Sequence, residues 1–245
     1  MKKSHGNDVI GFYEKNASKY DTERFSNKEG IFIDKIQKNI IYSFGNSFAN
    51  KSILDLGCGT GRFSIELAHS KANVTSFDAS FSMLIQLKDK IRDQNLDINF
   101  VKGNGYQLPF KDDTFDGCIC INVLDHIADQ TCLIKEISRI LKKDGFLIIN
   151  FSNLFSIYLP IALYINLRKK SVQNEVYAEW ISIMKMNDIF KQTFLELSSV
   201  KGQLLLPNNP KLDSIKDLLK KLNIFFIDSP LRFASGSIFV MGLKK

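Results

Sequence analysis

The stretch that most constrains this chain is Ile53-Leu54-Asp55-Leu56-Gly57-Cys58-Gly59-Thr60-Gly61, followed by Arg62-Phe63-Ser64-Ile65-Glu66-Leu67-Ala68. A short apolar run breaks at an acid, passes through glycines in alternate positions, and resumes with apolar residues at helical spacing. That order reads as a buried strand, a tight turn and the opening of a helix. Glycines reach backbone conformations closed to other residues and let a ligand approach the main chain closely. The spacing also decides against a dinucleotide loop. That loop has the form G-x-G-x-x-G, with the last glycine allowing close helix–strand packing. Here the last glycine comes one residue early, and Arg62 stands where it would fall.

The 245 residues suit one α/β domain with additions. Residues 8–48 read as helical with one break, and 45–50 as a polar connection. Strand and helix signals then alternate: strand 52–56, helix 61–69, strand 73–78, helix 82–92, strands 98–102 and 116–122, helix 131–141 and strand 146–151. Lys142, Lys143 and Gly145 end that last helix with basic residues and a glycine, both favourable there. Residues 152–192 are aromatic-rich and less regular. A strand at 195–200, a helix at 213–222 with an apolar stripe, and a strand at 237–243 close the chain. Strands separated by helices imply a parallel sheet covered on both faces.

Composition narrows the function. Cys58, Cys118, Cys120 and Cys132 form no C-x-x-C pair and no metal-ligand spacing with the histidines, so no metal is expected and the thiols read as reduced. A polar stretch follows the basic N-terminus, unlike a secretory signal, and the apolar stretch 151–167 is too short and interrupted for a membrane span. The expected location is cytoplasmic. The net charge of +7 is dispersed, whereas a nucleic-acid binder concentrates its basic residues, so no DNA partner is expected. Peripheral contact with a membrane stays open, as does the oligomeric state.

Asp55 to Gly61 resembles the first motif of class I S-adenosylmethionine-dependent methyltransferases. The likeness extends through Gly103-Asn104-Gly105-Tyr106-Gln107-Leu108-Pro109-Phe110, similar to the family's G-D-A-x-x-L-P-F, and through Asn122-Val123-Leu124-Asp125-His126-Ile127, similar to V-L-E-H-I. Phe12-Tyr13-Glu14-Lys15-Asn16-Ala17-Ser18-Lys19-Tyr20-Asp21 resembles the family's N-terminal cap. The resemblance implies a Rossmann-like seven-stranded, mostly parallel sheet with helices on both faces, a helical cap, an aromatic insertion after the fifth strand and an antiparallel last strand. The expected division is a single domain over 1–245, with the cap at 1–50, the cofactor core at 51–151 and a substrate lid plus the end of the sheet at 152–245.

By that resemblance, Gly57, Cys58, Gly59 and Gly61 wrap the methionine and ribose part of S-adenosylmethionine, Asp55 supports the loop and the cofactor's amino end, and Tyr20 closes over it. Asp78 ends the second strand, where an acid can accept both hydrogen bonds of a ribose diol; the other reading makes it a helix cap. Ala79 and Met83 border the adenine, with Met83 equally at home in a core. Asn104 and Gly105 stand where the family has Asp and Ala; an amide carbonyl still accepts a hydrogen bond but carries no charge. Asn122 and Val123 contact the cofactor through the main chain.

His126 has two readings, a base or a structural hydrogen bond. A neutral imidazole suits the abstraction of a hydroxyl proton near neutral pH. Tyr13, Tyr158, Tyr177 and Trp180 are the candidate substrate residues, with packing as the alternative. The expected function is methyl transfer from S-adenosylmethionine to an O or N nucleophile of a small molecule such as a sugar, glycolipid or secondary metabolite, leaving S-adenosylhomocysteine. The alternatives are a protein or RNA methyltransferase, or a cofactor-binding protein without turnover.

Overall fold

The computed structural model describes residues 2–45, 47–157, 179–204 and 216–245. Two helices, α1 (Lys2–Phe25) and α2 (Lys28–Tyr42), precede the sheet. Asn27 separates them, its side chain accepting the Gly30 N–H at 2.7 Å to cap α2. The sheet begins with β1 (Ser52–Leu56), α3 (Arg62–His69), β2 (Asn73–Asp78), α4 (Phe81–Ile91) and β3 (Ile98–Lys102). It continues with β4 (Phe115–Cys120), α5 (Gln130–Ile140) and β5 (Leu141–Ser152). The last part holds α6 (Ile183–Gln192), β6 (Leu195–Gln203), α7 (Lys216–Asp228) and β7 (Ser237–Lys244).

The seven strands form one sheet in the order β3-β2-β1-β4-β5-β7-β6. Strands β1 to β5 pair in parallel, and β7 lies antiparallel between β5 and β6. The mostly parallel Rossmann-like sheet and its antiparallel last strand are as the resemblance implies. Alternation along each strand divides the core into two layers. Leu54, Leu56, Cys118, Cys120, Leu147 and Ile149 pack with α5 and α6. Ile53, Ile119, Phe146 and Ile148 pack with α2, α3 and α4 on the opposite face. Both faces are therefore covered, which explains why these strands read as nearly continuous apolar runs.

Four expectations need correcting. The fourth strand ends at Cys120, not at 122, because Asn122 takes a left-handed φ of 61° and turns the chain out of the sheet. The fifth begins at Leu141: Leu141 pairs with Phe115, and a register shift then absorbs Lys142 to Asp144 before Gly117 pairs with Phe146. The irregular stretch hides α6, capped by Ser182 and burying Met186, Ile189 and Phe190 at helical spacing. The helix expected at 213–222 runs over Lys216–Asp228, and residues 213–215 lie outside the described residues. In that helix Leu218 and Leu222 are exposed, while Asn223 is buried and bonds the backbone N–H and C=O of Leu204.

Candidate active site

Between β1 and β4 the chain direction of strand addition reverses, the point at which open α/β sheets leave a crevice beyond the carboxyl ends of their strands. A cavity of about 790 Å³ opens there. Its walls come from four strand ends: Leu56 to Thr60 after β1, Phe77 to Ser80 after β2, Lys102 to Tyr106 after β3, and Ile121 to Val123 after β4.

The glycine loop is fixed from below by Asp78. One carboxylate oxygen accepts the Gly59 N–H and the other the Ser80 N–H, each at 2.8 Å. Burial pushes the Asp78 carboxyl above its ordinary pKa, opposed by these N–H donors. Ser80, not Asp78, caps α4, its hydroxyl accepting the Met83 N–H at 3.2 Å. Asp78 thereby keeps its place in the cavity wall, beside Ala79 and Met83. Gly59 has a φ of 54°, and a Cβ built there would meet nothing within 4 Å. The loop thus presents bare backbone to the cavity, the surface that a nucleoside-bearing ligand needs for close approach.

Of the expected cofactor residues, Tyr20, Gly57, Cys58, Gly59, Asp78, Ala79, Met83, Asn104, Gly105, Asn122 and Val123 all line this cavity. Asp55 does not. Strand alternation turns it toward α3, where it is buried and accepts the Ser64 hydroxyl at 2.5 Å, with Ser76 bonded to Ser64 at 2.7 Å. Burial raises its pKa to about 6. Asp55 thus lies outside the cavity lining and bonds Ser64 of α3 behind the loop. Gly61 also stands back from the cavity. It caps α3 at a φ of 85°, and a Cβ there would lie 2.1 Å from Leu87 Cδ1, so its role is close packing.

Asn104 uses its carbonyl locally, accepting the Tyr106 N–H at 3.0 Å. Asn122 is held by Asn150, a buried residue on β5: Asn150 Oδ1 accepts the Asn122 N–H at 2.6 Å, and its Nδ2 donates to Asn122 Oδ1 at 2.9 Å. Nothing in the spacing of the chain marks Asn150, which is 28 residues away in a strand that reads as core. Tyr106 was equally unmarked; its hydroxyl accepts the N–H groups of Ala128 and Asp129 and ties the wall after β3 to the start of α5.

The cap closes the opposite side. Glu14 on α1 accepts the N–H groups of Phe81 (2.9 Å) and Ser82 (2.8 Å) at the start of α4. The Ser82 hydroxyl, then the Ser82 and Phe81 N–H groups, hold its carboxyl at about 2. Asp21 accepts the Thr60 hydroxyl at 2.6 Å and pairs with Lys90, which donates to the Thr60 carbonyl at 2.8 Å. Arg62 reaches from α3 to Asp34 and Gln37 on α2 and lies 3.9 Å over the Phe25 ring. These contacts seat Tyr13 and Tyr20 on the cavity, their rings edge to face at 5.9 Å.

His126 lines the cavity on a 3₁₀ turn after β4. Its Nε2 lies 3.1 Å from the Tyr13 hydroxyl. The turn is anchored by Asp125, whose carboxylate accepts the Ser152 N–H (2.8 Å) and hydroxyl (2.6 Å). Trp180 is described but does not line the cavity; its neighbour Glu179 donates its N–H to the Asp125 carbonyl at 2.8 Å. Tyr158 and Tyr177 lie outside the described residues.

The methyltransferase-domain family profile matches residues 54–149, the segment from β1 into β5 that builds all four of these walls. Residues 54–149 are thus similar to a methyltransferase domain. The chain is 30% identical over 150 residues to the ubiquinone/menaquinone biosynthesis C-methyltransferase of Shewanella sediminis, covering 59% of each protein. It thus spans about three-fifths of that relative's length. It is 25% identical over 181 residues to the ubiquinone biosynthesis O-methyltransferase of Rickettsia akari, covering 72% of this chain and 71% of the relative. In fold, the chain resembles magnesium protoporphyrin IX methyltransferase from Synechocystis, solved with S-adenosylhomocysteine bound, at a TM-score of 0.70 and 14% identity. That likeness covers 96% of this chain and 98% of the other.

Among the described residues, no helix is long and apolar enough to cross a membrane, and no group of three His, Cys, Asp or Glu residues could hold a metal ion.

Proposed function

We propose that this protein transfers a methyl group from S-adenosylmethionine to a nucleophile of a small molecule. The observation that carries the reading is the bare glycine loop tied to Asp78 in one wall of a cavity of about 790 Å³, a size within the usual range for a small-molecule site. When bound, the cofactor supplies a methyl on a sulfonium that is its own leaving group, so the protein's task is to position the acceptor in line.

In this reading the loop 57–60 holds the methionine and ribose part and the second lone pairs of the Asp78 carboxylate accept the ribose hydroxyls. Met83, Ala79 and the 103–106 segment flank the base, and the Asn122-Val123 backbone lies against the transfer site. Asn104 would accept with the second lone pair of its carbonyl, whose first serves the Tyr106 N–H, or donate from its amide nitrogen. His126 is the base that ends with the extra proton. One relative is named a C-methyltransferase and another an O-methyltransferase, which supports a small acceptor without choosing its atom.

The chain is taken as a single domain, because α2, β1 and β7 contribute to one core layer. A cytoplasmic location goes with the free thiols Cys58, Cys118, Cys120 and Cys132. Calorimetry with S-adenosylhomocysteine tests the cofactor: micromolar binding is expected, and no heat would sink the reading. A metabolite extract incubated with isotope-labelled S-adenosylmethionine identifies the acceptor by mass spectrometry. Cofactor binding with no labelled product would favour a binding protein without turnover.

A further inference from the structure

We propose that Tyr13 and His126 act as a proton relay for a hydroxyl acceptor, with the Tyr13 hydroxyl meeting the substrate and His126 Nε2 receiving the proton. This rests on the methyl-transfer reading above and goes beyond it in naming the group that touches the acceptor. Three observations carry it. Tyr13 Oη and His126 Nε2 lie 3.1 Å apart across 113 residues of sequence. Both side chains line the same cavity, whose lining also includes Val9 and Ile10 of α1 and Ile127. The His126 turn and the cap helix are each anchored separately, by Asp125 to Ser152 and by Glu14 and Asp21 to α4 and the glycine loop. The pair is a built arrangement held from both sides.

The direction of transfer follows from the chemistry. Burial first, then the neighbouring Tyr20, pushes the Tyr13 phenol up to about 12, so at neutral pH it is protonated and has a proton to offer the imidazole nitrogen 3.1 Å away. The groups facing it are Tyr20 and Arg24 on α1, Asp78 at the end of β2 and Asp125 beside His126. With its proton directed at Nε2, the Tyr13 oxygen offers its lone pairs to the cavity, where an acceptor O–H can donate to it. As the acceptor oxygen bonds to the methyl carbon and the carbon–sulfur bond breaks, the acceptor's proton passes to Tyr13 Oη. Tyr13's own proton moves to Nε2. The positive charge that leaves the sulfonium ends on the imidazolium, and Tyr13 is unchanged. Because Tyr13 belongs to the cap, the relay is complete only when the cap is seated, which ties proton removal to closure over the cofactor.

The test uses the full chain and Tyr13→Phe, which keeps the ring contacts and removes only the hydroxyl. Nitrogen-15 imidazole spectra with S-adenosylhomocysteine bound, assigned with His126→Gln, should show Nε2 of His126 as a hydrogen-bonded acceptor. Its resonance should shift in Tyr13→Phe; an unchanged resonance overturns the pair. With catechol as the hydroxyl probe and labelled S-adenosylmethionine, Tyr13→Phe should lower kcat ~100-fold, the low end for positioned acid–base groups, while KM and S-adenosylhomocysteine affinity stay within a few-fold. Retained kcat overturns the relay, and transfer to aniline but not catechol overturns the hydroxyl assignment. If neither probe reacts, the spectrum decides alone. Failure to bind S-adenosylhomocysteine would strike the methyl-transfer reading and leave the Tyr13–His126 spectrum as a separate result.

Discussion

Asp78 accepts the Gly59 N–H at 2.8 Å, so the acid that ends β2 also sets the shape of the glycine loop that follows β1. The two strands are register neighbours, Leu56 opposite Phe77, which brings the acid and the loop together whenever the sheet forms. A ligand that meets Asp78 therefore meets the loop in its final conformation.

Asp78→Ala should weaken S-adenosylhomocysteine binding about 30-fold, or ~2 kcal/mol, the scale of hydrogen bonds to a charged group. Asp78→Asn keeps one carbonyl acceptor and should fall between. Calorimetry gives both numbers, and unaltered affinity in Asp78→Ala would remove the acid from the site.

Gly59 and Gly61 should separate binding from stability. A Cβ at Gly61 meets Leu87 at 2.1 Å, at a φ of 85°. Overpacking and left-handed strain together cost ~3 kcal/mol, so Gly61→Ala should lower Tm by roughly 6–12 °C. A Cβ at Gly59 meets nothing within 4 Å, in a loop that the proposed cofactor would approach closely. Gly59→Ala should melt within ~4 °C of the parent, on the left-handed cost of ~1 kcal/mol, yet bind S-adenosylhomocysteine poorly. Equal effects on both readouts would refute the distinction.

Glu14 makes cap seating depend on pH. Its pKa is lowered from 4.5 to about 2 by the Ser82 hydroxyl and the Ser82 and Phe81 N–H groups. A depressed acid contributes its full stabilisation above its unfolded pKa and loses it as pH falls through the folded value. The contact should therefore be intact at neutral pH and weaken progressively from about pH 4.5 toward 2. Amide exchange at Phe81 and Ser82, corrected for intrinsic rates, should accelerate across that window. In Glu14→Ala it should be fast throughout. No difference between the two proteins at neutral pH would show that Glu14 does not hold the cap.

Asn150→Ala leaves the left-handed Asn122 without its two side-chain bonds. A loss of about 1–2 kcal/mol is expected, close to that of unpairing a buried polar group, with Tm down by roughly 2–8 °C. Because the Asn122 backbone lines the cavity, S-adenosylhomocysteine affinity should fall as well. A variant that melts lower but binds as the parent does would confine Asn150 to the core.

How much was legible follows how local each cause is. The loop from Gly57 to Gly61, the acid at the end of β2 and the segments 103–106 and 122–126 are written in short stretches of chain. Periodicity finds the strands, and their ends are where an α/β sheet puts its site. Asp55 was not legible as lying outside the cavity lining, because strand alternation, not proximity to the loop, aims a side chain; it faces α3 and bonds Ser64. Helix α6 was lost among aromatic neighbours whose spacing blurred its short stripe, and the stripe read into α7 stays exposed at Leu218 and Leu222.

The sequence by itself determined the alternation of strands and helices and the glycine turn that excludes a dinucleotide, because both rest on the conformational limits of a few consecutive residues. Only the tertiary structure decided that Tyr13 meets His126, that Asn150 holds Asn122, and that Glu14 and Asp21 seat the cap on α4 and the glycine loop. Those contacts join residues between 28 and 113 positions apart. No local preference encodes them; they form when the sheet sets the distance between strand ends and the helices pack upon it.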